Sequence, residues 1–192
     1  MVECAIIHDV KINKIFLHTR YHWLEKPVLS HLYRTWLIEK GSLTARLQQR
    51  YRHFSVKPLT VKYAKTTHDE ASLLRMTAND SALIREVFLI GNGQPLVFAH
   101  SVLPRNSLRG EWRGLGKLGN KALGATLFAN PKVKRTPLSY KKLSSSHALY
   151  QSAVNGLTDR PAFLWARRSI FNLDCSNIMV TEVFLPHLVA SA

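Results

Sequence analysis

The sequence predicts a single α+β domain built on an antiparallel sheet. Its 192 residues suit one domain, and a hydrophobic fraction of 46% can furnish a sizeable core. Strand-like segments are joined by short turns, which favours antiparallel pairing, and helical segments precede and separate them. The chain contains no internal repeat and no Gly/Ser-rich linker that would divide it into further domains.

The first part of the chain carries two predicted helices. The spacing of bulky side chains predicts a helix over residues 27–39, with Pro27 in its first turn. Gly41 ends this helix, because glycine adopts the left-handed conformation that often follows a last turn. Ser42 then caps a second helix that runs to about Arg50.

Extended segments dominate the rest. Residues 54–63 read as a strand in which Pro58 indicates an edge position or a bulge. A hairpin follows, because Asn and Gly between two apolar runs tolerate the positive φ of a tight turn. A glycine-rich helical or turn region precedes two final strands, which are separated by a loop rich in Asn, Asp and Ser. The hairpin strands span 83–90 and 95–103, the glycine-rich region 115–128, and the final strands 163–171 and 178–185.

The chain is strongly basic, with 27 Lys and Arg against 12 Asp and Glu and a formal net charge of +15. Such an excess attracts nucleic acid, acidic membrane surfaces or anionic metabolites. The sequence has no RNP-type aromatic strand, zinc finger or basic zipper, so it predicts no specific nucleic-acid partner. The charge is compatible with a solvated surface and does not identify the function.

Cysteine usage and hydropathy predict a cytoplasmic protein. Cys4 and Cys175 are too few for a disulfide scaffold and lack metal-ligand spacing, so we expect two free thiols. The first residues carry acids where a signal peptide carries bases. No apolar run approaches the ~20 residues of a membrane helix, which predicts no membrane insertion.

Two charges interrupt apolar strands and are candidate site residues. Arg85 shares a strand face with Leu83 and Val87, and Glu182 shares one with Val180. A charge on an apolar face is costly unless something pairs with it. Either the two side chains pair with each other or with surface partners, or they face a closed cavity. In the cavity, Arg85 would receive a carboxylate with its planar fork and Glu182 would accept a hydroxyl hydrogen bond.

The remaining candidates are less specific. His100 lies in the second hairpin strand and either points into the same cavity or is a hydrogen-bonded core or edge histidine. His18 and His22 have the i, i+4 spacing of metal ligands, but no third ligand of recognisable spacing accompanies them, so we expect no metal site. No nucleophile signature and no glycine-rich nucleotide fingerprint is present. The residues by themselves leave the function open.

Several segments resemble, in the same order, those of one enzyme family. They begin with Trp36-Leu-Ile-Glu-Lys-Gly-Ser-Leu-Thr-Ala-Arg-Leu, continue through 84–89, 93–104, 118–128 and 165–169, and end with Thr181-Glu-Val-Phe-Leu-Pro. Together they cover about 28–186 and resemble the chorismate lyases (chorismate pyruvate-lyases). The resemblance assigns residues 26–192 to a chorismate lyase-like domain. Residues 1–25 form an N-terminal extension that either stands apart from this domain or belongs to it.

The resemblance implies an activity. Members of the family split chorismate into 4-hydroxybenzoate and pyruvate, the first committed step towards ubiquinone. They do so without metal or cofactor, as monomers with about six antiparallel strands, covering helices and an enclosed ligand cavity. The alternative from another class is a non-catalytic domain that binds an aromatic carboxylate, since effector-binding domains of the UTRA type have a similar sheet. Those domains normally follow a helix-turn-helix, for which the first 25 residues are too short.

The resemblance also implies roles for five residues. Arg85 and Glu182 are the catalytic candidates: Arg85 grips the ring carboxylate, and Glu182 faces the hydroxyl end of the ring. Glu182 is either a proton donor to the departing group or a positioning carboxylate. Backbone N–H groups of Leu43 and Leu123 add contacts to the substrate. His100 falls where the best-known member has an arginine near the second carboxylate, so the resemblance makes it a substrate-binding candidate.

Overall fold

A computed structural model describes residues 22–77, 79–109, 112–155, 157–158 and 160–190. Its centre is a seven-stranded antiparallel sheet with the order β1-β2-β3-β7-β6-β4, in which β5 also pairs with β6. This confirms the predicted α+β class. The strands are β1 (Phe54–Ala64), β2 (Ala82–Gly91), β3 (Gln94–Pro104), β4 (Lys134–Arg135), β5 (Ser139–Ser144), β6 (Phe163–Leu173) and β7 (Ser176–Phe184).

Short helices lie on both faces of this sheet. None of the helices in the described ranges has the length and apolar character that a bilayer crossing requires. Two 3₁₀ helices cover His31–Tyr33 and Leu115–Lys117. The α-helices are α1 (Arg34–Leu37), α2 (Leu43–Arg50), α3 (His68–Leu74), α4 (Arg105–Arg109), α5 (Leu123–Ala129), α6 (Ala148–Val154) and α7 (His187–Ala190).

Each face of the sheet carries two apolar clusters with a row of more polar residues between them. On the front face, α1 and α2 belong to one cluster and α5 to the other. On the rear face, α6 belongs to one cluster and α3 to the other. Both rows cross β2, β3, β7 and β6 in register. The front row is Arg85, Ser101, Val180 and Ser169, and the rear row is Glu86, His100, Thr181 and Arg168.

The helix predicted over residues 27–39 is wrong in its extent. Leu29 and His31 adopt positive φ, which is incompatible with a regular helix, so the α-helical part begins only at Arg34. The second predicted helix is confirmed as α2, and the Ser42 hydroxyl accepts a hydrogen bond from the Ala45 N–H at 3.3 Å. Sequence reasoning missed α3, although its capping box of Thr67 and Glu70 is a recognisable start signal.

The predicted hairpin is confirmed as β2 and β3. Asn92 and Gly93 both have positive φ, as the two-residue turn requires. Pro58 lies in the edge strand β1, next to a register shift between Pro58 and Thr60, so this strand has both predicted features. The sheet has one strand more than expected, because β4 and β5 are short and pair with one edge of β6.

Predictions near the chain ends have mixed outcomes. Leu24, in the predicted extension, exchanges backbone hydrogen bonds of 2.7 and 2.8 Å with Tyr140 in β5. Cys175 is an exposed free thiol. Cys4 and His18 lie outside the described residues.

Replacing Gly91 with alanine should destabilise the protein by about 1–3 kcal/mol, because the new methyl group overpacks the core. A Cβ at this position would lie 2.5 Å from Leu96 Cδ1 and 2.6 Å from Tyr51 Cγ. Urea unfolding measures the change. Ala129→Gly at the end of α5, which also alters a single methyl group, serves as the comparison variant. A Gly91→Ala variant with the wild-type unfolding midpoint would contradict this packing.

Candidate active site

A small, partly covered cavity lies on the front face between the two apolar clusters. Its volume is about 40 Å³. Arg85 and Glu182 project from the sheet into its lining, and the first turns of α2 and α5 close it from above. The lining also includes Thr44, Val87, Leu89, Ala99, Ser101, Ala122, Gly124, Leu127, Phe128, Arg135, Phe171 and Val180, together with Leu43 and Leu123.

Arg85 is a buried cation that no described carboxylate neutralises. The residue is 3% exposed, and burial lowers the pKa of its guanidinium. Nη2 donates to the carbonyl oxygens of Gly119 at 3.1 Å and Lys121 at 2.9 Å. Within the described ranges, no carboxylate lies within ion-pair distance of this guanidinium. A buried charge of this kind favours an anionic partner.

Glu182 pairs with Arg167 and not with Arg85. The alternative that Arg85 and Glu182 pair with each other is therefore wrong. Nε of Arg167 donates to Oε2 of Glu182 at 2.5 Å. Arg167 is fully buried, and its Nη1 donates to the carbonyls of Trp36 at 2.9 Å and Glu39 at 2.6 Å. These carbonyls lie at the end of α1, where a cation is favourable. The Glu182 carboxylate is therefore held in one position.

Arg167, the partner of Glu182, is a residue that sequence reasoning missed. It interrupts the apolar strand β6 just as Arg85 interrupts β2. The same rule, that a charge on an apolar strand needs a partner, could have found it. Its proximity to Glu182 depends on the pairing of β6 with β7, in which Arg167 lies directly opposite Glu182.

Leu43 and Leu123 lie close together in the cavity, as first residues of α2 and α5. The two helix starts approach closely, because a Cβ on Gly124 would lie 3.1 Å from Thr44 Oγ1. Backbone N–H groups in a first helical turn have no intrahelical acceptor and carry partial positive charge. Together with Arg85, they make this end of the cavity favourable for a carboxylate.

The structure does not bring His100 into this cavity. His100 is 7% exposed and lies in the rear row, where its Nδ1 is 3.0 Å from Glu86 Oε1 and its Nε2 is 3.1 Å from Glu70 Oε1. If β2 and β3 paired regularly from their two-residue turn onwards, His100 would lie opposite Arg85 and on the same face. A register shift between Leu89 and Ile90 places Ser101 opposite Arg85 instead, and His100 therefore faces the rear side of the sheet.

His100 lines a second, rear cavity of about 750 Å³. Burial disfavours its protonation, but the carboxylates of Glu70 and Glu86 outweigh this effect and raise the pKa of His100 to about 9. The pKa of Glu86 is lowered, chiefly by its hydrogen bond to His100. The cationic imidazole is thus already neutralised by two carboxylates, which leaves little attraction for an anionic ligand.

The raised pKa of His100 predicts that stability falls at alkaline pH. Protonated His100 stabilises the fold fully below its ordinary pKa of 6.5, and this contribution is lost as the pH rises through about 9. The free energy of unfolding should therefore decrease by up to ~1.4 kcal/mol per pH unit across this window. Urea unfolding measures the slope. His100→Gln should lack it, the exposed-site variant His53→Gln should keep it, and an equal slope in both variants would contradict the assignment.

The front-face cavity defines the class of site. A buried guanidinium without a carboxylate partner among the described residues, two helix starts and one positioned carboxylate surround a small space. Groups of these types are suited to a small carboxylate and to a hydroxyl group of the same ligand. The fold and the site together define an α+β antiparallel-sheet domain with a small cavity suited to a carboxylate.

Known structures share this fold. The ligand-binding domain of a putative GntR-family transcriptional regulator from Bordetella bronchiseptica matches with a TM-score of 0.52 and 15% identity, over 87% of this chain and 93% of that chain. A GntR-family transcriptional regulator from Bacillus cereus matches with a TM-score of 0.52 and 13% identity, over 70% of this chain and 92% of that one. At such identities the likeness concerns the fold alone.

Sequence relatives identify the family. The profile of the chorismate lyase family matches residues 18–192. A probable chorismate pyruvate-lyase from Methylobacillus flagellatus is 46% identical over 88% of this chain and 96% of its own length. Its counterpart from Nitrosomonas europaea is 49% identical over 79% of this chain and 85% of its own length. The chain belongs to the chorismate lyase family and is an enzyme of the lyase class.

Proposed function

We propose that this lyase eliminates pyruvate from chorismate to give 4-hydroxybenzoate, the first committed step of ubiquinone biosynthesis, as a cytoplasmic monomer. The observation that carries the proposal is the buried Arg85, which faces a small cavity without a carboxylate partner among the described residues. Chorismate has a ring carboxylate at one end and a hydroxyl next to the enolpyruvyl ether at the other.

The ring carboxylate binds at the Arg85 end of the cavity. Arg85 supplies the charge, and the N–H groups at Leu43 and Leu123 supply further donors. This polar end anchors the substrate while the apolar walls, formed by residues such as Val87, Leu89 and Leu127, contact the ring faces. The substrate is thereby oriented along one axis.

The reaction then needs orientation more than a nucleophile. The ring proton on the hydroxyl-bearing carbon leaves, its electron pair enters the ring, and the neighbouring C–O bond to the enolpyruvyl group breaks. The departing enolpyruvate takes up a proton and becomes pyruvate, and the ring becomes aromatic. Aromatisation supplies the driving force, so the protein contributes by holding the substrate and excluding water.

Glu182 is a positioning carboxylate in this proposal. Because Arg167 donates to its Oε2, Glu182 presents acceptor oxygens to the cavity, and the ring hydroxyl donates to them. A proton donor would instead have to present an O–H group to the departing oxygen. The ion pair therefore favours positioning over acid catalysis.

Glu182→Gln should lower kcat/KM by about 10- to 100-fold, the effect of losing one charge-assisted hydrogen bond. The pH–rate profile should keep its shape, because the variant removes no proton donor. Steady-state kinetics over a range of pH values measures both quantities. Loss of the alkaline limb of the profile in this variant would contradict the positioning role and assign acid catalysis to Glu182.

Binding requires a wall of the cavity to move. A volume of about 40 Å³ lies far below the roughly 300–1,000 Å³ of typical ligand sites. The segment before α5 is attached to the sheet by the hydrogen bonds of Arg85 to Gly119 and Lys121. A carboxylate that binds Arg85 competes with these carbonyls and so loosens the attachment. Opening and closing of this segment would then govern substrate entry and product release.

Product analysis tests the proposed function. Purified protein is mixed with chorismate, and the absorbance of 4-hydroxybenzoate is followed. Steady formation is the expected result. The competing interpretation is a non-catalytic domain that binds an aromatic carboxylate. Saturable binding of chorismate that is recovered unchanged would support that interpretation and overturn the proposal.

A further inference from the structure

We propose that Arg135 binds the second carboxylate of a dianionic substrate and thereby distinguishes the substrate from its monoanionic product. The inference rests on the proposed function and adds a specificity-determining residue to it. In chorismate, the second carboxylate belongs to the enolpyruvyl group, whereas 4-hydroxybenzoate retains only the ring carboxylate.

Arg135 lies in β4 and lines the same cavity as Arg85 and Glu182. Its Nε donates to Ser169 Oγ at 2.7 Å, and its Nη1 donates to the Lys40 carbonyl at 3.0 Å. Both acceptors are uncharged. No carboxylate among the described residues lies within ion-pair distance of Arg135, and burial lowers the pKa of its guanidinium. It is therefore a second cation at the cavity without a direct counter-ion.

The charges of the cavity match a dianion better than a monoanion. Glu182 is the carboxylate of the lining, and Arg167 already pairs with it at 2.5 Å. Arg85 and Arg135 remain as two cations held by neutral acceptors. The charge of Glu182 acts on Arg135 without forming a close pair with it. A ligand with one carboxylate gives a direct counter-ion to one of the two arginines, and a ligand with two carboxylates gives one to each.

The two arginines approach the cavity from opposite sides. Arg85 and Ser169, to which Arg135 is hydrogen-bonded, are the two ends of the front row across four strands. The rings of Phe128 and Phe171 lie 5.5 and 5.1 Å from the Arg135 guanidinium and restrict its position. Two carboxylates at different positions of one ligand can therefore each meet an arginine.

His100 cannot take this role from its observed position. It lies on the rear face, and Glu70 and Glu86 neutralise its charge. Arg135, by contrast, lies on the front face and is hydrogen-bonded to neutral acceptors. The arrangement thus assigns recognition of the second carboxylate to Arg135 in β4.

Arg135→Gln tests the inference through the KM for chorismate and the inhibition constant of 4-hydroxybenzoate. If Arg135 had only a general structural role, its replacement would change both constants together. We expect the KM for chorismate to rise by about 10- to 100-fold, because one charged contact is lost. The inhibition constant of 4-hydroxybenzoate should change by less than about threefold, since the product lacks the second carboxylate. Arg135→Lys, which keeps the charge, should fall between the wild type and Arg135→Gln in KM.

Arg52→Gln is the matched control, because it removes the same charge from an exposed position outside the cavity lining. Its KM should stay within about threefold of the wild type. Equal changes of KM and product inhibition in Arg135→Gln, or an unchanged KM, would overturn the inference. Wild-type protein that binds chorismate without converting it would overturn the proposed function instead. If Arg135→Gln fails to fold, the Arg135→Lys variant decides: a KM unchanged from the wild type would overturn the inference.

Discussion

Replacing Arg85 with alanine should raise the KM for chorismate by roughly 100- to 5,000-fold. The substrate carboxylate then enters the cavity without its cation, and removing one partner of a buried charge pair costs about 3–5 kcal/mol. Arg85 is 3% exposed, so the lost charge pair lies inside the protein. Steady-state kinetics of wild-type and Arg85→Ala enzyme measures the effect.

A ligand series identifies the part of the substrate that Arg85 recognises. Arg85→Ala should weaken the binding of 4-hydroxybenzoate strongly and leave the binding of phenol, which lacks a carboxylate, within about threefold of the wild type. Arg52→Ala, at an exposed position, removes the same charge from the surface and should leave both affinities unchanged. Equal losses for the two ligands in Arg85→Ala would contradict carboxylate recognition by this residue.

Arg167→Met should have the largest effect on stability. It removes the partner of Glu182 and the donors to the carbonyls of Trp36 and Glu39, and it leaves these groups inside the protein. Breaking one side of a buried ion pair lowers the free energy of unfolding by about 3–5 kcal/mol. Urea denaturation of the variant and the wild type measures this difference.

Two further variants separate the ion pair from general packing. Arg168→Met, at the next position, removes an ion pair with Asp69, whose side chain is 58% exposed. The loss of that pair should lower the free energy of unfolding by no more than about 1 kcal/mol. Adding Glu182→Leu to Arg167→Met should recover part of the lost stability, because it removes the unpaired carboxylate. A double variant as unstable as the sum of its single changes would contradict this coupling.

Apolar runs bounded by turn residues were enough to predict the central strands, and turn chemistry was enough to predict the hairpin. The prediction of residues 27–39 failed because Leu29 and His31 adopt positive φ, for which apolar spacing gives no signal. Strand β4 has only two residues, and the buried positions of the six-residue strand β5 are three residues apart, so neither shows a pattern of period two.

The site was predictable in part for an equally physical reason. A charge on an apolar strand requires a partner, and this rule marks Arg85 and Glu182 without any knowledge of the fold. It does not say which partner, and the pairing of Glu182 with Arg167 follows only from the register of β6 and β7. His100 illustrates the limit, because a shift of one residue in the hairpin register moves a side chain to the opposite face.

The most direct test of the account is a single-turnover experiment with enzyme in excess over chorismate and a chelator present. Quenched samples are analysed for chorismate, 4-hydroxybenzoate and pyruvate, and Arg85→Ala prepared in the same way reports any contaminating host enzyme. The wild type should give one 4-hydroxybenzoate and one pyruvate for each chorismate consumed, and the variant should give little conversion. Chorismate that is bound but recovered intact from the wild type, or equal conversion by both proteins, would contradict it.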